Sequence, residues 1–290
     1  MSSVKFSSKR LKYIHDLALV FIGDLIDNHP DMKTEQLKTL SLVKQLVDSG
    51  HAHCIMGNHE LNAVGWATNH PVHNNWLRPH TDNNHKQHRA FLNEVIDNSK
   101  LHQDWIEWFK ELPLYIDFGD IRAIHACWDY HAIDKLAEYL DDKQRLRTEA
   151  WFDVFDKNKP LYGIVETLLK GPELPLPEGY GFMDKTKTYR THVRIRWWLD
   201  DAKTYRDVAQ VQPEAVANIP EIDIPAELQN TKMTIPVVIG HYTLNVAPMA
   251  LSADVACVDY NAASSHGKLV GFVYHRNTDL LDPTNHFICS

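Results

Sequence analysis

Cysteine is sparse in this 290-residue chain: only Cys54, Cys127, Cys257 and Cys289 occur, and no two lie close together. That spacing excludes a compact disulfide framework and suits free thiols in a reducing compartment, so a cytoplasmic protein is expected. No apolar run is long enough to span a bilayer, which excludes a membrane-spanning helix. Lys5, Lys9, Arg10 and Lys12 precede a short apolar stretch. The stretch passes straight into Gly23-Asp24 without a small-residue cleavage site, unlike a signal peptide. A basic excess is missing as well, the formal charge being −8. Phosphate backbones select basic surfaces, so nucleic acid is not an expected partner. Internal repeats and low-complexity tracts are also absent.

An apolar fraction of 44% and eight Trp describe a packed globular protein. A chain of this length can bury about three quarters of its unfolded surface. Apolar runs at 17–22 and 52–56 are bounded by Gly and polar residues and read as buried strands. Between them Leu37, Leu40, Leu42, Val43, Leu46 and Val47 recur at helical spacing, with Asp31 as a candidate cap and Gly50 as the stop. Strand, helix and strand form a βαβ unit, which implies an α/β fold with a parallel sheet. The stretch 69–88 is polar and rich in His and Asn and reads as a surface loop. Helices are expected at 88–97 and 102–112, then a hairpin over 114–126 turning at Gly119-Asp120. Residues 131–170 read as helical and 171–179 as a Pro- and Gly-rich loop. Strand character returns at 234–239, 253–258 and 269–274.

Four of these strands end in Asp24, Asn58, His125 and His241. Sites in open α/β sheets are built where strands end. A carboxylate, an amide oxygen and two imidazoles form a mixed O/N donor set. That set suits Mn, Fe or Zn and differs from the all-oxygen cages of Ca and Mg. Taken singly, Asp24 and Asn58 could instead reflect turn chemistry, which Asp and Asn favour. Their joint placement with two His favours a metal site.

The motifs Phe21-Ile22-Gly23-Asp24-Leu25-Ile26-Asp27, Met56-Gly57-Asn58-His59-Glu60, Ile124-His125-Ala126-Cys127-Trp128 and Gly240-His241-Tyr242 carry a family resemblance. Leu77-Arg78-Pro79-His80, Leu168–Glu173 and Val255–Tyr260 add to it. The chain resembles the calcineurin-like metallophosphoesterases, and among them a bacterial branch near the phosphoprotein phosphatases and diadenosine tetraphosphate hydrolases. The resemblance implies a four-layer α/β/β/α sandwich formed by a single domain over 1–290, with a mainly helical insertion at about 130–232. It implies that Asp24 bridges two divalent metals, Mn or Fe with Zn as the alternative, while Asn58, His125 and His241 complete one shell. His59 would be the general acid and Asp27 would orient it, since a carboxylate beside a His favours the proton-carrying imidazolium. Glu60 would be a hydrogen-bond partner behind the ligands. The implied activity is hydrolysis of a phosphomonoester or nucleoside polyphosphate by metal-hydroxide attack. The implied substrates are phosphorylated small molecules or phosphoproteins.

The sequence departs from the family in two ways. Members begin with a strand ending in Asp-x-His, which holds the other metal; here the fold is expected to lack that first strand. Ile14-His15-Asp16 read as surface residues. Asn28 stands where an Arg usually clamps the phosphate, and an amide has no cationic fork. The competing expectation is therefore an impaired or N-terminally truncated relative that acts as a binding protein with at most one metal. Arg190, His192, Arg194 and Arg196 alternate with Thr191, Val193, Ile195 and Trp197, placing a basic row on one strand face. Arg194 and Arg196, with Arg78, are the candidate substrate-binding residues; the competing reading is a solvated face. Arg122 has a weaker claim. His70, His73, His80, His85 and His88 read as surface-loop residues, and Trp105, Trp108, Phe109 and Cys127 as core.

Overall fold

The computed structural model describes residues 19–27, 35–97, 99–184, 187–226, 233–275 and 286–290. Strands β1 (Leu19–Phe21) and β2 (Ala52–Cys54) pair in parallel around α1 (Gln36–Asp48), the βαβ unit expected from the apolar periodicity. Helices α2 (Asn58–Ala67), α3 (Asp82–Val95) and α4 (Lys100–Lys110) follow. The expected hairpin is β3 (Tyr115–Asp117) with β4 (Arg122–Ile124). Next come α5 (Tyr130–Leu136), α6 (Ala150–Phe155) and α7 (Pro160–Lys170). Two small antiparallel pairs follow, β5 (Glu173–Pro175) with β8 (His192–Arg194) and β6 (Phe182–Met183) with β7 (Tyr189–Arg190). Strands β9 (Val237–Ile239) and β10 (Val255–Cys257) complete a sheet of order β10-β9-β4-β3. A hairpin of β11 (Val270–Phe272) and β12 (Phe287–Cys289) comes last. The α/β class is as expected. No helix among the described residues is long and apolar enough to cross a membrane.

Three local expectations are corrected. The polar stretch is not all loop: Thr81 accepts the Asn84 N–H and starts α3, whose inner face buries His88, Phe91, Leu92 and Val95. Its solvent-facing positions carry the polar residues that masked the helix. The region 131–170 is interrupted by a non-helical stretch after α5, and the Pro- and Gly-rich loop contains β5. The Asp31 cap, Asn28, Ile14-His15-Asp16 and any strand before β1 lie outside the described residues. Within them, the first N–H groups of α1 are met from α3. The Glu94 carboxylate accepts from Gln36 N at 3.0 Å and Leu37 N at 2.9 Å. Such acceptors satisfy the donors a helix start leaves unpaired.

Parallel pairing sends β1 and β2 out at one sheet edge, and β4 and β9, also parallel, out at another. The two edges meet through His125 Nδ1, which donates to the Ile22 carbonyl at 2.6 Å. The loops after β1 and β2 pack backbone to backbone. A Cβ on Gly23 would lie 2.4 Å from Gly57 N, and one on Gly57 would lie 2.3 Å from Asp24 N. Gly23 also has φ +80°, a conformation L side chains rarely adopt. Glu60, fully buried, ties both loops together. Its Oε2 accepts from Asp24 N at 2.9 Å and Gly57 N at 3.0 Å, and its Oε1 from Leu25 N at 2.7 Å.

Glu60→Gln is nearly isosteric, but one of its two head atoms is a donor that must face backbone donors. We expect it to lower unfolding free energy by about 3 kcal/mol, the range for charged hydrogen bonds lost in a buried setting. Urea denaturation checks this, and a loss below about 0.5 kcal/mol would be the level of a neutral surface change.

Candidate metal centre

Asp24, His125 and His241 each offer a ligand atom, and all three atoms lie within 4.8 Å of one another. Asn58 completes the group: its Oδ1 is 3.2 Å from His125 Nε2 and 2.8 Å from His241 Nδ1. Asp24 Oδ2 is 3.2 Å from His125 Nε2. The four strand-end residues singled out in the sequence therefore converge. Asp24, Asp27, His241 and Thr243 all have positive φ, between 47° and 64°. That conformation is uncommon outside Gly, and such outliers gather at functional sites.

The hydrogen-bond arithmetic shows what the site demands. His125 Nδ1 already donates to the Ile22 carbonyl, and its Nε2 faces two more acceptors, Asp24 Oδ2 and Asn58 Oδ1. Three acceptors around one imidazole require either a doubly protonated ring or a cation among the oxygens. Burial opposes charge on His125, but the Asp24 carboxylate and the Ile22 carbonyl outweigh it and push its pKa up to about 9. Burial also acts against the Asp24 charge, yet His125, then His59 and His241, hold its carboxyl well below the usual carboxylate range. His241 goes the other way: burial and repulsion by His125 push it down to about 3. Arg194 Nη1 is 3.2 Å from His241 Nε2 and can only donate, so His241 keeps its proton on Nδ1, facing Asn58. The donor set thus fits a divalent cation: a carboxylate, an amide oxygen and two imidazoles surround a point where positive charge is favoured. The backbone bond on His125 fixes its orientation in the manner of ligating histidines.

His59, at the start of α2, donates its backbone N–H to Asp24 Oδ1 at 3.1 Å, and its Nε2 lies 3.9 Å from Asp24 Oδ2. Among the described residues no hydrogen bond or ion pair joins His59 to Asp27, the residue expected to orient it. Asp27 Oδ2 instead bonds His88 Nδ1, its Oδ1 accepts from Phe91 N at 3.1 Å, and its own N–H donates to Gln36 Oε1 at 2.7 Å. The reason is the buried middle of α3, where His88 and Phe91 reach Asp27. Of the three arginines considered, only Arg194 reaches the centre; its Nη2 is also 3.1 Å from Glu173 Oε1. Arg78 is turned to Asn84 Oδ1 and Gln87 Oε1, at 3.2 and 2.6 Å. Arg196 donates to the Asp207 carbonyl. Arg122, at the far end of β4, stacks on Trp128 and bonds Asp117. The sequence reading missed His88 as a partner of the motif. Its place three residues before Phe91, on the face shared with Leu92 and Val95, was the available signal.

A family model described as calcineurin-like phosphoesterase matches residues 8–204. Among solved structures, the chain is similar to a cold-active protein-tyrosine phosphatase of a psychrophile, Shewanella sp., with 14% identity and a TM-score of 0.39. It is also similar to an Ile-to-Met mutant of a cold-active protein tyrosine phosphatase, with 15% identity and a TM-score of 0.40. Each comparison covers 87% of this chain, which spans 63% of the length of those phosphatases. No curated relative matches the sequence. With the family match running over most of its length, the chain belongs to the calcineurin-like phosphoesterase family.

Proposed function

We propose that the chain is a metal-dependent phosphoesterase acting on a phosphomonoester or a nucleoside polyphosphate, from a branch near the phosphoprotein phosphatases and diadenosine tetraphosphate hydrolases. The observation that carries this reading is the convergence of Asp24, His125 and His241 on one point, with Asp24 Oδ2 and Asn58 Oδ1 both facing His125 Nε2, a donor set that suits a cation. Those four residues would hold it, and the mixed donor set favours Mn or Fe, with Zn as the alternative. When bound, the cation supplies charge neutralisation at phosphorus and an acidified water. His59, one third exposed on its side chain and beside Asp24, is placed to protonate the leaving oxygen. The positive end of α2 faces the same point, since Asn58 and His59 form its first turn, and a helix start favours phosphate. Arg194 takes the part of the phosphate clamp in place of Asn28. Released from His241, its guanidinium would present paired donors to phosphate oxygens. The segment 130–232, read as an insertion that brings β8 to the centre, would carry substrate selectivity. Free thiols at Cys54, Cys127, Cys257 and Cys289 are in keeping with a cytoplasmic setting.

Asp24→Asn and His241→Ala should each abolish cation binding, measured by calorimetry, together with hydrolysis of an aryl phosphate. His59→Ala should keep the cation and lower kcat by about 10²–10⁴-fold, the usual range for a lost general acid. Undiminished turnover in Asp24→Asn would sink the scheme. A cation bound to wild type without turnover on any phosphate ester would favour a non-catalytic binding protein.

The acid–base state of the cation-free protein gives a second test. With its pKa raised to about 9, His125 is protonated at neutral pH and must release a proton to ligate. Affinity for a divalent cation should therefore rise with pH, about tenfold per unit, and level off above that pKa. Titrations at several pH values would check it, and an affinity flat from neutrality to the plateau would contradict it.

A further inference from the structure

We infer that His88 is a positioning residue of the metal centre, acting through Asp27; the inference rests on the phosphoesterase reading above. The turn that presents Asp24 runs from Gly23 to Asp27, and Gly23, Asp24 and Asp27 all sit at positive φ. A turn with that backbone needs holding at both ends. At one end Glu60 takes the Asp24 and Leu25 N–H groups. At the other, the Asp27 side chain is 3% exposed and bound to His88 Nδ1 and to Phe91 N, both on α3. Gln36 Oε1 takes the Asp27 N–H.

The setting of His88 shows what the imidazole is for. The residue is fully buried against the rings of Trp66 and Phe91. Its Nε2 is buried without a hydrogen-bond partner, so the ring's single polar contact among the described residues is Asp27. A hydrocarbon side chain would fill such a place with no polar atom left over. The imidazole is worth having there only for the Nδ1 proton it gives to Asp27. Both carboxylate oxygens of Asp27 are bound from α3. Asp27 is the anchor by which α3 holds the metal-binding turn from the side opposite Glu60. Loss of the anchor would let the turn relax and Asp24 move off the point it shares with His125 and His241. Residues that orient ligands in this way typically change metal affinity by about 10–100-fold when removed.

The test uses the full chain and Mn(II) as the probe. His88→Phe keeps a ring in the pocket but has no donor, and His88→Asn keeps a donor at the position of Nδ1. His88→Phe should bind Mn(II) at least about tenfold more weakly than wild type, with kcat on an aryl phosphate falling and KM little moved. His88→Asn should recover most of both. Circular dichroism and thermal unfolding report whether each variant is folded. Proton NMR supplies a readout that needs no His88 variant. A slowly exchanging, far-downfield imidazole N–H should be present in wild type and persist in His59→Ala. Its disappearance in His59→Ala would overturn the inference, as would wild-type Mn(II) affinity in folded His88→Phe. Wild-type protein that binds no Mn(II) would overturn the phosphoesterase reading and this inference with it.

Discussion

The contact between the Gly23 and Gly57 backbones is the constraint on which the rest of the centre depends. Neither position has room for a Cβ, and the buried Glu60 carboxylate fastens the two loops by three main-chain N–H groups. Because β1 and β2 run parallel, both loops leave the sheet at the same edge. The close approach then sets Asp24, on one loop, beside Asn58 and His59, at the start of α2 after the other. Remove the two glycines and the same side chains would still be present in the chain but would face different points.

A second meeting brings in the other sheet. His125 follows β4 and His241 follows β9, and those strands are parallel neighbours. The Ile22 carbonyl, just after β1, accepts the His125 Nδ1 proton and so couples the two sheet edges through that side chain. Rings and oxygens then crowd around one point with more acceptors than donors. That imbalance raises His125 and depresses Asp24, opposite shifts that follow from one local demand for positive charge. A proton on His125 meets that demand, and a divalent cation held by these side chains would meet it as well.

Support for this arrangement comes from two helices with different jobs. From one side, α2 supplies Asn58, His59 and Glu60 within its first turn. From behind, α3 supplies His88 and the Phe91 N–H to Asp27 and Glu94 to the start of α1. Polar residues gave the first half of α3 the look of a loop, yet the inner face of the helix braces both the motif turn and the first helix. The basic row expected on one strand is divided between β7, which holds Arg190, and β8, which holds Arg194, with Arg196 beyond both. One member reaches His241, while Arg190 and Arg196 are bound to Asp184 and to the Asp207 carbonyl.

The sequence by itself determined the βαβ start, the 114–126 hairpin and the four residues that meet at the centre. Those were legible because apolar runs ending in Gly and polar groups mark strand exits, and the exits of parallel neighbours, β1 with β2 and β4 with β9, share an edge. The partner of Asp27 was decided by tertiary structure alone, as were the cap of α1 and the one arginine that reaches the ligands. Hydrogen-bond partners such as Asp27 and His88 are 61 residues apart. Their pairing is fixed by how helices pack behind the sheet, a geometry that no local pattern of residues encodes.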